Sequence, residues 1–208
     1  MKILSHRGLW KTAEEKNSRK AFIRSFSAGY GTETDVRDIC GKLVISHDMP
    51  QGNEITFEEV LQIMEGRNLP LAINIKADGL IEPLLELLNR YHHTNYFTFD
   101  MSIPDLVVQT KRGAKVFTGQ SDIMPTPVLL DKCYGIWLDA FFSDWYDSEF
   151  IDGLLSNGKQ LCVVSADLHK RDPIPQWKKI KRSLFFERDS LMLCTDMPDK
   201  AKEFFSCQ

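Results

Sequence analysis

Glu33 and Asp35 lie two residues apart in the strand-like run Thr32–Asp38, so they project from one face. Thr34 and Val36 project from the other, where they suit packing against a helix layer. Two carboxylates about 5–6 Å apart at an effective dielectric near 20 repel by about 3 kcal/mol. A fold tolerates that repulsion when a cation sits between them. Hard oxygen ligands of this kind suit Mg²⁺ or Ca²⁺ better than Zn²⁺. His47 follows at the end of the apolar run Leu43-Val44-Ile45, after a Gly41-containing link, where a hairpin strand delivers it to a rim. A metal and half of an acid/base pair are therefore expected in this segment.

The elements that position these residues follow from periodicity, caps and breakers. Ile3 to His6 reads as a strand ended by Arg7-Gly8. A helix starts after Asn17 or Ser18 and stops at Gly29, and Thr56 with Glu59 has capping-box spacing ahead of a second helix. Leu69 to Lys76 is a strand with Asn74 and Lys76 on one face. Further strands are expected at 96–99, 115–118, 135–140, 160–165 and 191–195, and further helices at 81–91, 104–111, 148–155, 174–182 and 200–205. The stretch 121–133 is broken by Pro125 and Pro127, with a short helix expected near Leu129.

Strands alternating with helices imply a parallel sheet. Eight strand-then-helix units imply a (β/α)₈ TIM barrel of the whole chain, 1–208, with a hairpin insertion after the second strand. An open doubly wound sheet is the alternative. No glycine-rich dinucleotide fingerprint opens a helix. In a barrel the chemistry sits at the C-terminal ends of the strands. His6 and Arg7 end the first strand, Glu33 and Asp35 the second, and Asn74 and Lys76 the third, with His47 in the hairpin.

The 208 residues carry a formal charge of −3 and no basic run that would mark a nucleic-acid partner. Lys178, Lys179, Lys181 and Arg182 read as the solvent face of a helix. The five cysteines are scattered, with no Cys-x-x-Cys, and Cys162 and Cys194 sit in apolar runs. No apolar run is long enough for a membrane span, and Met1 leads straight into a strand with no apolar leader. A cytoplasmic location is expected.

His6-Arg7-Gly8, Glu33-Thr34-Asp35 and His47-Asp48, in that order, resemble the glycerophosphodiester phosphodiesterase family. The resemblance extends to Asn17-Ser18, Ile75-Lys76 and Thr195-Asp196-Met197-Pro198; it covers the first eighty residues well and the middle poorly. It implies a (β/α)₈ barrel, a divalent metal, and hydrolysis of a small glycerophosphodiester to glycerol 3-phosphate and an alcohol. The implied metal ligands are Glu33, Asp35 and the residue at position 74, with Arg7 and Lys76 on the phosphate and His6 and His47 as base and acid. The chain departs from the pattern at three places. Asn74 stands where the family has an acidic residue, Lys16 where it has a glutamate, and Val164-Ser165 where a Trp-Thr pair is common. Glu14 and Glu15 are candidates to compensate.

Each assignment has a plainer counterpart. Glu33 and Asp35 could pair with Arg7 and Arg37 as an ion network, and Asn74 could be a donor behind the ligands. Asp48 reads as the residue that fixes His47. Trp10 lines the pocket or caps the barrel. Trp137 reads as core, and Asp139 could reach the site. His92, His93 and His169 read as surface residues without acidic company. Two other functions stay open: a phospholipase-D-like lyase that releases a cyclic phosphate, and a phosphate-binding barrel with little turnover because Asn74 carries no charge. The leaving alcohol and the oligomeric state are not specified by the sequence.

Overall fold

In the computed structural model, which describes residues 1–206, Ser18 accepts a hydrogen bond from the Ala21 N–H and starts α1 (Arg19–Ser27). The chain divides into two compact units, residues 5–116 and residues 1–4 with the chain from 117 onward. The first strand, β1 (Lys2–His6), contributes to both.

The unit 5–116 continues through β2 (Gly31–Ile39), β3 (Lys42–Ile45), α2 (Phe57–Met64), β4 (Leu71–Ile75), α3 (Ile81–Arg90), β5 (Tyr96–Phe99) and α4 (Ile103–Lys111). Its strands run in the order β1-β2-β4-β5, with β3 paired antiparallel to β2 as the expected hairpin. β4 is parallel to both β2 and β5. The capping box at α2 is complete: Thr56 Oγ1 accepts from the Glu59 N–H, and Glu59 accepts from the Thr56 N–H. The helices bury Phe22, Phe26, Phe57, Leu61 and Met64 against Val36, Ile73 and the hairpin residues Leu43 and Ile45. The hairpin is therefore anchored by the core, and its far end can carry His47.

The unit 1–4 and 117 onward holds β6 (Phe117–Gln120), β7 (Gly135–Leu138), α5 (Ser148–Ser156), β8 (Gln160–Val164), α6 (Ile174–Lys181), β9 (Leu191–Thr195) and α7 (Pro198–Ser206). Its order is β1-β9-β8-β7-β6, and β6 through β9 are parallel. Trp177, fully buried, packs among Ile136, Leu161, Val163, Leu191 and Leu193. Eight parallel strands carry one added hairpin strand and alternate with helices except between β6 and β7, where turns replace the eighth expected helix; this is the expected (β/α)₈ barrel class.

Several local expectations are corrected. No helix forms near Leu129; that residue takes a positive φ of 51°, and the segment is a run of turns before β7. β6 begins two residues later than expected, and only Val116 bridges to β5, opposite Thr98. His93 is buried, with Nε2 against the Asn95 carbonyl at 3.2 Å, and is not a surface residue. His169 does have acidic company: its Nε2 lies 2.6 Å from Asp139 Oδ1. Lys179 donates to the Asp144 and Tyr146 carbonyls, so that part of the basic run is tied down rather than loose. Cys133, Cys162 and Cys194 are buried and Cys40 is exposed, and none of these four forms a disulfide. Among the described residues no helix is long and apolar enough to cross a membrane.

Candidate active site

All seven expected site residues lie in the unit 5–116. The turn after β1 is built by glycine. Gly8 has φ 84°, and a Cβ there would stand 2.7 Å from the Ala21 Cβ. Only a residue without a side chain lets the strand end run this close to α1. The Gly8 N–H donates to Thr32 Oγ1 at 3.0 Å. Arg7, itself at φ 60°, is fixed on both sides: its N–H donates to the Glu33 carbonyl, and its carbonyl accepts from the Asn17 N–H. A positive φ on a long side chain is uncommon and collects at functional sites.

Asp35 is the hub. It is fully buried, with Arg7 Nε 2.9 Å from Oδ2 and Lys76 Nζ 3.4 Å from Oδ1. Asn17 Nδ2 also donates to Oδ2, at 2.9 Å. Glu33, 2% exposed, has His6 Nε2 3.7 Å from its Oε2. Asn74, 7% exposed, sits opposite Asp35 in the parallel register of β2 and β4. Its Nδ2 donates to Asp100 Oδ2 at 3.2 Å. Arg37 does not join the carboxylates; it donates to the His47 carbonyl.

Three oxygens in this group, Glu33 Oε2, Asp35 Oδ1 and Asn74 Oδ1, are buried and accept no hydrogen bond. Buried oxygens are normally hydrogen-bonded; here Lys76 lies 3.4 Å from Asp35 Oδ1 and His6 3.7 Å from Glu33 Oε2 without a hydrogen bond, and three such oxygens on adjacent strands leave capacity for a further partner. Electrostatics agree. Burial, then the Asp35 charge and lastly that of Asp100, push the Glu33 carboxyl well above its usual range, although Arg7 and Lys76 pull the other way. Two carboxylate oxygens and one amide oxygen are a donor set of the hard kind that Mg²⁺ and Ca²⁺ take. Among the described residues no group of three His, Cys, Asp or Glu side chains could hold an ion, so the third donor would have to be the amide.

His47 stands at the mouth. Its Nδ1 is 2.9 Å from Asp48 Oδ1, the expected partnership, and its side chain is half exposed. His47 and Arg7 both line a cavity of about 730 Å³, together with Lys16, Asn17, Glu14 and Glu54. Glu15 is no substitute ligand: it is hydrogen-bonded to Arg24, which holds its carboxyl down at about 2, and it accepts from the Lys11 N–H. Trp10 donates to the His6 carbonyl and is covered by the Lys16 ammonium.

Two participants were not assigned from the sequence. Asn17 read as a helix cap, but Ser18 does the capping, and the Asn17 amide bridges Asp35 and Thr34 Oγ1. Asp100 was not singled out at all. Its signal would have been its place one residue past Phe99, which is opposite Asn74, and that requires the strand order. Asp139, on the other unit, pairs with His169 and carries Trp145 Nε1 on its carbonyl.

No family model and no curated protein sequence matches the chain. Solved structures do. A phosphodiesterase of Oleispira antarctica, determined with the product sn-glycerol-3-phosphate, superposes with a TM-score of 0.67 at 14% identity, over 98% of this chain and 96% of its own. A glycerophosphodiester phosphodiesterase of Agrobacterium tumefaciens gives a TM-score of 0.71 at 18% identity, over 96% and 98%. The chain has the fold of these phosphodiesterases. At such identities the likeness is one of fold, over nearly the whole length of both chains, and the chemistry rests on the residues of this chain.

Proposed function

We propose that the protein is a divalent-metal-dependent phosphodiesterase that hydrolyses a glycerophosphodiester, or a related glycerol-phosphate head group, to glycerol 3-phosphate and an alcohol. The observation that carries this reading is the set of three buried, unsatisfied oxygens on Glu33, Asp35 and Asn74, bordered by the cations of Arg7 and Lys76. The bound product of the Oleispira enzyme, glycerol 3-phosphate, supports the substrate class.

Glu33, Asp35 and Asn74 would hold Mg²⁺ or Ca²⁺. When bound, that ion offsets charge developing on the non-bridging phosphate oxygens. Arg7 and Lys76 bind the same anionic oxygens and keep the phosphorus in place. His6 takes the proton of the attacking hydroxyl, which is the substrate's own glycerol hydroxyl; a P–O bond forms to it as the bond to the alcohol breaks. His47 gives a proton to that leaving oxygen. Water then opens the cyclic phosphate with the histidine roles reversed. Asp48, 2.9 Å from His47 Nδ1, holds the ring by that nitrogen and leaves Nε2 for the substrate. The cavity beside Arg7 and His47 has few apolar walls and suits a small polar alcohol. Cys40, Cys133, Cys162 and Cys194, none in a disulfide, fit a reducing, cytoplasmic setting.

One observation favours the binding-module reading: the third oxygen donor is a neutral amide. Phosphorus NMR of glycerophosphocholine, incubated with the protein and Mg²⁺ or with excess chelator, separates the readings. Metal-dependent appearance of glycerol 3-phosphate is expected. A cyclic phosphate that persists would make the protein a lyase. No turnover with any divalent ion, despite phosphate binding, would leave a module.

A further inference from the structure

An amide in a set of carboxylate donors raises an orientation problem. A carboxylate presents an oxygen whichever way it is turned, but an amide turned by half a revolution presents N–H donors instead. Donors aimed at a cation would oppose binding. Something must hold the Asn74 side chain with its oxygen toward Glu33 and Asp35.

The neighbouring strand supplies that group. Asn74 lies opposite Phe99 in the register of β4 and β5, and the chain leaves the strand line at Asp100, whose φ is 63°. Asp100 Oδ2 accepts from Asn74 Nδ2 at 3.2 Å. An ionised carboxylate only accepts, so it selects the NH₂ end of the amide. The oxygen is left facing the other way, buried and without a hydrogen bond. Asp100 also belongs to the same electrostatic neighbourhood, since its charge reaches Glu33.

We propose that Asp100 is a positioning residue of the metal site: by accepting from the Asn74 amide it fixes Asn74 Oδ1 as the third oxygen donor for a divalent cation. This rests on the metal-dependent reading above. It also gives a physical account of how an asparagine serves at position 74, because the orientation that a carboxylate has by symmetry is imposed here from the next strand.

The test is calorimetric titration of Mn²⁺ into the metal-free, full-length protein and three variants. Asp100→Gly removes the carboxylate without strain, because glycine is at ease at this φ. Its affinity should fall by about 10–100-fold, the usual loss when the partner behind a ligand is removed. Asp100→Asn suits the left-handed backbone and keeps an acceptor oxygen, but its own NH₂ can turn to Asn74 Oδ1, so its affinity should lie between those of the parent and Asp100→Gly. In an Asn74→Asp background, Asp100→Gly should cost no further affinity, since the new ligand needs no orienting. Parent-like affinity in Asp100→Gly would overturn the proposal. So would an undiminished loss in the Asn74→Asp background, because it would mean that Asp100 acts by charge. A parent protein with no Mn²⁺ affinity at all would instead overturn the metal-dependent reading, and this inference with it.

Discussion

Asn17 joins the first helix to the second strand: its Nδ2 donates to Asp35 Oδ2 at 2.9 Å, and its Oδ1 accepts from Thr34 Oγ1 at 3.0 Å. One amide thus satisfies residues on both faces of β2. Its backbone is left-handed, with φ 57°, and its N–H returns to the Arg7 carbonyl. Asn17→Gly keeps that conformation and removes only the amide. We expect Mn²⁺ affinity to fall about 10-fold or more, because Asp35 loses a partner that holds it. Thermal unfolding should show a loss of about 1–2 kcal/mol from the missing hydrogen bonds. Calorimetry and melting together check this; parent-like affinity would show that Arg7 and Lys76 suffice to orient Asp35.

The approach of β1 to α1 gives a second prediction. A methyl group on Gly8 would meet the Ala21 Cβ at 2.7 Å and the Ala21 carbonyl carbon at 2.9 Å, on a backbone at φ 84°. Neither neighbour is the end of a flexible chain. Gly8→Ala should therefore cost about 2–4 kcal/mol, combining overpacking with left-handed strain. Because Arg7 precedes it, metal-dependent activity should suffer in whatever fraction stays folded. Denaturant midpoints read the effect, and a loss under 1 kcal/mol would mean that α1 can shift aside.

How far this site is legible in the sequence depends on the range of each relationship. Glu33 and Asp35 share a face because strands have period two, and Thr56 and Glu59 cap a helix because three residues make a turn; both are local, and both hold. The Asn17–Asp35 and Asn74–Asp100 bonds span 18 and 26 residues and depend on which strand neighbours which. A loop histidine such as His169 looks solitary until β7 and β8 are laid side by side, when Asp139 comes within 2.6 Å of it. His93 fails for another reason. Its neighbours in sequence are polar and turn-like, yet the side chain is buried with Nε2 against the Asn95 carbonyl. The apolar run Val128-Leu129-Leu130, which follows Pro127, looks helical in sequence, but the left-handed backbone of Leu129 ends any helix there.

The raised Glu33 carboxyl fixes a pH dependence. Burial is the main cause, followed by the charge of Asp35. The folded protein keeps a proton on Glu33 at pH values above the ordinary 4.5, where the unfolded chain has released it. The folded state then binds more protons than the unfolded one, so this group's contribution to stability falls as pH rises from about 4.5 through the raised folded value. Metal-free Glu33→Gln should be more stable than the parent near neutrality and should lack this slope. A cation must displace the proton, so Mg²⁺ affinity should increase with pH and binding should release protons. Titrations in two buffers of different ionisation enthalpy measure that release. Identical pH slopes for parent and Glu33→Gln would refute the assignment.

The two histidines differ in surroundings, and the difference predicts which variant a better leaving group can rescue. His6 Nε2 faces Glu33, deep in the site, whereas His47 is held by Asp48 at the mouth beside the cavity. His6→Ala and His47→Ala should each slow turnover of an alkyl-alcohol diester by about 100-fold or more, the scale of acid/base catalysis. A nitrophenyl leaving group departs without help from an acid. On such a diester His47→Ala should recover most of its rate, and His6→Ala should not, because the attacking hydroxyl still has to lose its proton. Recovery in His6→Ala alone would exchange the two roles. Near-parent rates in both variants on the alkyl diester would remove the histidines from the chemistry and leave Arg7, Lys76 and the oxygen donors to account for whatever turnover remains.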